Sequence, residues 1–220
     1  MITSDTTATA LLSAEYAIST ERISAADAAM TRHSVRSYLD IPVSDDELHS
    51  LLALTSRAPS AFNLQPWRFI VVRDQAVKDA LKDAAYGQKQ VGQAPVVIAL
   101  YADMDDTLAN LSEVVHTDLT PEKRASTIAM LEKNFGGMTP EARANWANGQ
   151  TNIALGYLLL IAKAEGFDTS PMLGFESDRV KAILGIPATA TITAIVALGR
   201  GADDGFRSHR HAVERTTTFR

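Results

Sequence analysis

Residues 58–73 have the sequence APSAFNLQPWRFIVVR, which joins a polar loop to an apolar run. Pro59 and Pro66 bracket the hydroxyl and amide side chains of the loop, a composition that suits either a ligand-contacting loop or a plain connecting turn. The run that follows is apolar almost without a break, so we predict a strand over 67–73 that is covered on both faces. Such a strand needs other layers packed against it, and the stretch therefore predicts a sheet inside a larger core.

Helix-start signals lie before and after this strand. Ser24-x-x-Asp27 and Ser44-x-x-Glu47 have the spacing of a capping box, in which each side chain bonds a free backbone N–H. Helices and strands alternate along the chain with helices in the majority, which predicts an α+β fold whose central sheet of four or five strands is wrapped by helices. We predict helices over 24–32, 44–58, 75–85, 107–119, 121–134, 139–165 and 177–184, and strands over 95–101, 192–198 and just before Pro171.

The composition is that of a globular protein. The 220 residues are 46% hydrophobic and 21% charged. At about 150 residues for an average domain, this length suits one large domain or two small ones. The net charge of -5 argues against a general nucleic-acid binder. The chain has no cysteine, which excludes disulfides, cysteine metal ligands and cysteine nucleophiles. We expect a cytoplasmic protein, and no metal site because the histidines have no ligand spacing.

No segment predicts membrane insertion or secretion. The longest apolar stretch, 153–162, has about half the length of a membrane span. Residues 1–5 contain neither the basic group nor the apolar block that begins a secretory signal. We expect residues 1–23 to form an N-terminal extension, and residues 24–220 to form a single domain that binds neither membranes nor nucleic acids.

The glycine-rich phosphate motifs of nucleotide-binding proteins are missing from the sequence. Gly199-Arg200-Gly201 lacks the third glycine and the following helix of a dinucleotide-binding turn, and no Gly-x-x-x-x-Gly-Lys-Ser/Thr occurs. A different candidate is RHSVRSY at 32–38, where two guanidiniums four residues apart flank an imidazole and a hydroxyl. Such a group could bind a phosphate through charge-assisted hydrogen bonds, and a solvated basic loop is the alternative.

The segment 32–38 and the loop 58–69 open a series of motifs in a fixed order. The later members are YGQKQ at 86–90, APVVI at 94–98, PMLGF at 171–175, LGIP at 184–187 and ALG at 197–199. Each motif alone is weak, but their order and spacing over about residues 27–212 are specific. Together they resemble the nitroreductase family of flavin mononucleotide (FMN) enzymes.

The resemblance implies a fold and an assembly. Members of this family have a mostly antiparallel central sheet wrapped by helices, and they form intertwined homodimers with one FMN in each of two interface pockets. One stretch of each subunit is offered to the pocket of its partner, and many relatives carry a second hydroxyl residue there where this chain has alanine. The matching residues here are Pro59, Ser60, Ala61 and Asn63.

The resemblance also assigns residues to the phosphate end of the flavin. Arg32 matches the arginine that contacts the phosphate, and His33 and Ser34 match residues that hold the phosphate and ribityl region. In the tail, Arg207 and Arg210 are candidates for a second phosphate cation, with Arg210 favoured. The alternative for either tail arginine is a solvated chain end.

Other matched residues belong to the ring end. Arg36 matches a cation near the N1–C2 carbonyl edge, where negative charge collects on two-electron reduction. Gln88 or Lys89 is expected at the same edge. A loop whose backbone amides face the flavin N5 and O4 atoms is matched by Pro171, Met172, Leu173 and Gly174.

The resemblance implies a ping-pong reaction. NADH or NADPH passes a hydride to N5 and leaves, after which an oxidised acceptor enters the same slot and takes two electrons. Because the flavin carries the chemistry, no catalytic side chain is expected. Nitroaromatics, quinones and activated enones are the expected acceptors. Two alternatives stay open: a dedicated reaction such as enone reduction, dehalogenation or flavin-based oxidation, and a flavin-binding protein with little turnover.

Overall fold

The computed structural model describes residues 22–206 and 208–220 and has an antiparallel sheet at its centre. The strands are β1 (Trp67–Val72), β2 (Val96–Ala102), β3 (Asp168–Met172) and β4 (Thr191–Gly199). Their order is β1-β2-β4-β3, so β1 and β3 are the outer strands. The predicted α+β fold with a mostly antiparallel sheet is confirmed. Of the predicted N-terminal extension, only Arg22 and Ile23 are among the described residues.

Helices surround the sheet. They are α1 (Ala25–Thr31), α2 (Asp45–Thr55), α3 (Gln75–Ala84), α4 (Lys89–Gln93), α5 (Met104–Ala109), α6 (Leu111–Val114), α7 (Pro121–Gly136), α8 (Pro140–Ala164), α9 (Ser177–Leu184) and α10 (Val213–Thr216). Within the described ranges, none of them combines the length and the apolar character that crossing a bilayer requires.

Short polar signals set the starts of several helices. The Ser44 hydroxyl accepts from the Glu47 N–H, and the Glu47 carboxylate accepts from the Ser44 N–H, which completes the predicted capping box of α2. At α1 only half of the box forms: Ser24 accepts from the Asp27 N–H, but its own hydroxyl donates to the Asp27 carboxylate. Both helices nevertheless begin where the sequence predicts.

The central strand β4 contributes side chains to two cores. Ile195 lies in the core that includes residues of α3, α4 and α9, whereas Val196 lies in the core that includes residues of α2 and α8. Since successive side chains of a strand point to opposite faces, both faces of the sheet are covered by helices. The 25-residue helix α8 packs against all four strands and against α1 and α2, which confirms the predicted long helix through the middle of the molecule.

The outer strand β1 is less buried than the sequence predicts. Trp67 and Val72 at its ends are buried, but the four residues between them are only partly buried. In the part of the chain that the structure describes, β1 pairs with β2 alone, so one of its sides has no neighbouring strand. β1 is therefore less buried than the sequence predicts, whereas every residue of β2 except Tyr101 is buried.

Two local predictions are corrected by the structure. Pro171 lies within β3 rather than after it, which an outer strand tolerates because one side of its backbone has no strand to bond. The helix predicted over 107–119 is instead the pair α5 and α6, which meet at Asn110. The Asn110 side chain donates to the Asp106 carbonyl at 2.9 Å, a local bond that competes with a continuing helix.

The Gly-x-Gly at the end of β4 serves close packing. A Cβ atom on Gly199 would lie 2.6 Å from the Pro95 ring, and one on Gly201 would lie 2.8 Å from the Asp168 Oδ2 atom. The Gly201 N–H also donates to that oxygen at 3.0 Å. The two glycines therefore let the chain pass tightly beside its neighbours, in keeping with the absence of a dinucleotide-binding turn.

Candidate functional site

The segment after α1 is fixed against β3. Ser34 forms a parallel bridge with Thr169, and the Val35 N–H donates to the Thr169 carbonyl at 3.2 Å. Val35 is buried, while Arg32, His33 and Ser34 are partly exposed and Arg36 is exposed. The segment thus runs along an outer strand with one apolar anchor and four polar side chains.

These side chains meet the C-terminal tail at a cavity of about 210 Å³, which we call the arginine pocket. Gly205 lets the tail approach: its φ is +52°, and a Cβ on it would lie 2.8 Å from His33 Cδ2 and 3.0 Å from the Ser34 carbonyl oxygen. The predicted Arg207 lies outside the described residues. The pocket is lined by Arg32, His33, Ser34, Arg36, Phe206, Ser208, His209 and Arg210.

The arginine pocket is cationic and partly unpaired. No carboxylate is among its described lining residues. Arg32 Nη1 and His33 Nε2 are buried without a hydrogen-bond partner in the described chain, although His33 Nδ1 lies 2.9 Å from the Thr31 carbonyl oxygen. Burial, and then the positive charge of Arg210, lower the pKa of Arg32. Converging cations and an unpaired buried donor suit a bound anion, and a phosphate matches the planar guanidinium donors.

A second group of predicted residues meets near the end of β3. The Gln88 side chain donates to the Gly174 carbonyl at 2.8 Å, and Gln90 Nε2 lies 3.3 Å from Gln88 Oε1 and 3.4 Å from the Met172 sulfur. Leu173 is 74% exposed. The N–H groups of Leu173 and Gly174 have no acceptor among residues 22–206 and 208–220. This junction therefore presents free backbone donors on a loop held by glutamine side chains.

Two other predicted ring-end residues are placed around this junction. Pro171 lies just before it in β3, and Lys89 is exposed at the first residue of α4. Thr169 beside the arginine pocket and Met172 at the junction are three residues apart on one strand, or about 10 Å. The cationic arginine pocket and the free amides thus lie along the same outer strand.

The predicted partner-facing residues form a separate region, which we call the proline loop (residues 59–65). Phe62, Asn63 and Gln65 all have positive φ, a strained conformation for residues other than glycine. The loop precedes β1, whereas the arginine pocket lies beside β3, so the two regions are at opposite margins of the sheet. One chain does not bring the proline loop to the other predicted residues.

Side-chain bonds within the chain hold the proline loop in this shape. The Ser60 hydroxyl accepts from the Gln65 N–H at 3.0 Å, and the Asn63 amide donates to the Val114 carbonyl at 3.0 Å. The Ala61 N–H donates to Gln150 Oε1 of α8 at 2.9 Å. The loop is therefore an internally bonded, preformed surface.

Sequence reasoning gave no role to three residues of these regions. Gly205 fits the tail against His33, and Gln150 reaches the proline loop from 89 residues away, for which no local signal exists. Tyr86 lies against Gly174 with φ of +57°. The dipeptide Tyr86-Gly87 indicates a turn, but not that its aromatic ring reaches another loop.

Comparisons of the sequence and of the fold with known proteins point to one family. The sequence model of the nitroreductase family matches residues 29–200. An NADH dehydrogenase of Thermus thermophilus is 49% identical over 198 residues, which cover 90% of this chain and 97% of that protein. The FMN complex of an Exiguobacterium sibiricum protein assigned as a nitroreductase has a TM-score of 0.82 at 25% identity, covering 90% of this chain and 98% of that one. CLA-ER, an enone reductase of gut-bacterial fatty acid saturation, has a TM-score of 0.80 at 25% identity, covering 90% and 99%.

The matched range contains the arginine segment, the proline loop and the Gln88–Gly174 junction, and ends before Arg210. It spans well over half of the chain, and the Thermus relative is similar along nearly its whole length. The fold is also similar, because each of the two solved structures aligns with about nine-tenths of this chain. On these grounds the chain belongs to the nitroreductase family, a family of oxidoreductases.

Proposed function

We propose that the protein is an FMN-dependent oxidoreductase that transfers two electrons from NADH or NADPH to a small organic acceptor, such as a nitroaromatic or a quinone. The observation that carries the proposal is the arginine pocket, a cationic cavity with an unpaired buried guanidinium nitrogen in a member of the nitroreductase family.

The absence of cysteine fits a reducing compartment, and we propose a cytoplasmic location.

The described residues fit an FMN molecule. Arg32 and Arg210 converge with no carboxylate among the described lining residues, and a phosphate dianion would offset the burial and the Arg210 charge that together lower the pKa of Arg32. Gly205 keeps the tail close enough for Arg210 to share the anion with Arg32. When bound, FMN supplies two-electron chemistry by accepting a hydride and returning electrons to an acceptor.

The remaining residues bind and orient the flavin ring. The free N–H groups of Leu173 and Gly174 donate to ring acceptor atoms, and the Gln88 bond to the Gly174 carbonyl holds the loop for this purpose. Arg36 supplies a positive charge that favours the reduced ring, with Lys89 as a further cation. No protein acid or base is required.

A homodimer completes this site. The proline loop, at the opposite margin of the sheet, is offered by one copy to the pocket of the other. Support comes from the surface of α8, where Ile153 and Tyr157 are exposed and where a Cβ on Gly149 or Gly156 would touch nothing within 4 Å. Small residues beside apolar ones allow close helix packing, and a permanent dimer buries well above about 2,000 Å². Light scattering is expected to give twice the 23.7 kDa chain mass, and a monomer with full FMN affinity would contradict this assembly.

One comparison favours a second candidate function. CLA-ER is an enone reductase, and it aligns with this chain as well as several nitroreductases do. An activated enone would receive the same two electrons from the same pocket. A protein that oxidises NADH faster with an enone than with any nitroaromatic or quinone would favour this alternative.

The test is an absorbance spectrum of the purified protein, repeated without oxygen after NADH or NADPH is added. Flavin bands near about 375 and 450 nm that bleach are expected. NADH is the expected donor, because the Thermus relative is named an NADH dehydrogenase. Flavin bands that neither nucleotide bleaches would instead indicate a flavin-binding protein with little turnover. A protein that remains colourless after incubation with FMN would overturn the proposal.

A further inference from the structure

Tyr86 is an aromatic residue that the chain leaves exposed beside the proposed flavin loop. Tyr86 is 69% exposed, so its side chain does not fill the core. Its ring atoms Cδ2 and Cε2 lie 3.8 and 4.0 Å from the point that a Cβ on Gly174 would occupy. The ring therefore lies beside the part of the loop that carries the free N–H groups.

The backbone holds Tyr86 in this position at a cost. Tyr86 has φ of +57° and Gly87 has φ of +74°, two consecutive left-handed residues of which one is aromatic. Left-handed backbone in a residue with a bulky side chain costs about 1–2 kcal/mol, and such strain is concentrated at functional sites. Nothing in the packing of the core requires an aromatic ring here, because the ring lies at the surface.

Three bonds fix the Tyr86 turn to its surroundings. The Gly87 N–H donates to the Lys82 carbonyl at 2.9 Å, at the end of α3. The Gln88 side chain reaches the Gly174 carbonyl at 2.8 Å, and the Glu176 N–H donates to the Ala84 carbonyl at 2.9 Å. The turn and the loop therefore form one unit, and Tyr86 keeps its place relative to Leu173 and Gly174.

We infer that Tyr86 is a specificity-determining residue, which forms one wall of the acceptor site and favours flat aromatic acceptors by stacking against them. The inference rests on the proposed function, since the acceptor site exists only if the flavin ring lies at the Gly174 loop. Leu173, which precedes Gly174 in the chain and is 74% exposed, supplies a second apolar wall. A planar acceptor gains contact with an aromatic ring that a compact, non-planar acceptor cannot use.

The experiment compares two acceptors in the FMN-loaded enzyme: menadione, a flat bicyclic quinone that takes two electrons, and ferricyanide, an octahedral one-electron acceptor without a flat face, two of which oxidise one reduced flavin. In a ping-pong reaction kcat/KM for an acceptor does not depend on the step in which NADH reduces the enzyme. The ratio of the two kcat/KM values therefore isolates the acceptor site. Stacking of one ring is expected to change this ratio about 3- to 12-fold.

Two substitutions of Tyr86 separate the ring from the backbone. Tyr86→Phe keeps the ring and loses the hydroxyl, and we expect the menadione-to-ferricyanide ratio to remain within about 2-fold of wild type. Tyr86→Asn loses the ring but suits left-handed backbone, so the turn is retained. Here the ratio is expected to fall about 3- to 12-fold. The 450 nm absorbance per chain and the melting temperature show whether each variant still holds FMN and folds.

Failure of this inference can be told apart from failure of the proposed function. A wild-type protein without flavin, or with flavin that NADH and NADPH leave unbleached, overturns both. An active wild-type enzyme whose ratio is unchanged in Tyr86→Asn overturns the role of Tyr86 alone. A fall of the ratio in Tyr86→Phe as large as in Tyr86→Asn would assign the effect to the hydroxyl and overturn stacking.

Discussion

The arginine pocket and the proline loop differ in how their polar groups are satisfied. In the pocket, Arg32 Nη1 and His33 Nε2 are buried without partners among the described residues, and burial and the positive charge of Arg210 both act against the charge of Arg32. In the loop, Ser60, Asn63 and Gln65 bond one another or nearby backbone, and Gln150 bonds the Ala61 N–H. The pocket therefore leaves buried polar groups without hydrogen bonds, whereas the polar groups of the loop are bonded and its backbone is strained.

This difference separates two kinds of functional surface. An unpaired buried donor costs free energy until a ligand bonds to it, so an anion that bonds to the pocket would remove this cost. A strained loop held by internal bonds needs no ligand to take its shape, so it can be presented to another molecule without an ordering cost. The first surface should respond to FMN, and the second should respond to changes in its own bonds.

Removing Arg32 is expected to have the largest effect. In Arg32→Ala a phosphate loses a charge-assisted partner worth about 1.5–3 kcal/mol, so the Kd for FMN should rise about 10- to 150-fold. Titration of the flavin-free protein with FMN measures this. Arg73→Ala is the matched control, because Arg73 pairs with Asp45 next to the end of β1, at the opposite margin of the sheet from the pocket. Equal Kd values for wild type and Arg32→Ala would remove Arg32 from the site.

The proline loop should give the next largest effect, measured here as a loss of stability. Asn63→Ala loses the bonds to Val114 and Gln65 and leaves alanine at φ of +57°. We expect the free energy of unfolding to fall by about 1–2 kcal/mol in urea. Asn63→Gly loses the same bonds but adopts this backbone freely, and should lose less. Equal losses in the two variants would show that backbone strain contributes nothing.

The effect of Arg210→Gln on the melting temperature should have opposite signs without and with FMN. In the flavin-free protein the variant removes the charge that repels Arg32, so the melting temperature should rise by a few degrees at most, which corresponds to less than about 1 kcal/mol. With saturating FMN the same variant should melt below wild type, because a phosphate partner is lost. A variant less stable than wild type in both states would mean that Arg210 has a structural role.

The smallest effect is expected at Glu47, another internally satisfied group. Burial opposes its ionisation, but bonds from the Ser44 N–H and hydroxyl and from Arg200 outweigh burial and lower the Glu47 pKa. A lowered pKa in the folded state stabilises the protein above the unfolded value near about 4.3 and loses this contribution as the pH falls through the folded pKa.

Glu47→Gln should therefore lower the melting temperature at pH 7 by a degree or two, as exposed pairs and caps each contribute under about 1 kcal/mol. The deficit should shrink as the pH falls below the unfolded value of about 4.3 and through the lower folded pKa, where the wild-type carboxylate becomes protonated. Glu132→Gln, on the exposed surface of α7, is the control. A deficit of equal size at both pH values would mean that the charge of Glu47 is not what stabilises α2.

The sequence was most informative where the signal is local. The capping box of Ser44 and Glu47 is four residues long and appears as predicted. The burial of β1 and the place of Pro171 depend on which strands lie at the margins, which is decided by pairing between distant segments. The break at Asn110 depends on a side-chain bond that competes with a continuing helix.

In the candidate site, too, the sequence carries a local signal for some residues and none for contacts between distant segments. Arg32 and Arg36 were identified because they lie four residues apart, and the structure brings both to one cavity. Arg210 reaches that cavity only because the tail returns past His33 at Gly205, an approach that composition does not reveal. Tyr86 and Gln150 act on loops far from them in sequence, so only the folded arrangement shows their contacts.

The order of the strands also determines when the molecule can fold during synthesis. Among the described residues, β3 has β4 as its only neighbouring strand and β2 needs β4 as its second, yet β4 is the last of these four strands to leave the ribosome. Until residue 199 has been made, β1 and β2 form an isolated pair, which is marginally stable by itself. The long-range closure between β2 and β4 therefore comes late and is slow. Nascent chains that stop short of β4 expose the apolar side chains and the unpaired backbone edge of β2, and this is the stage at which aggregation or chaperone binding competes with folding.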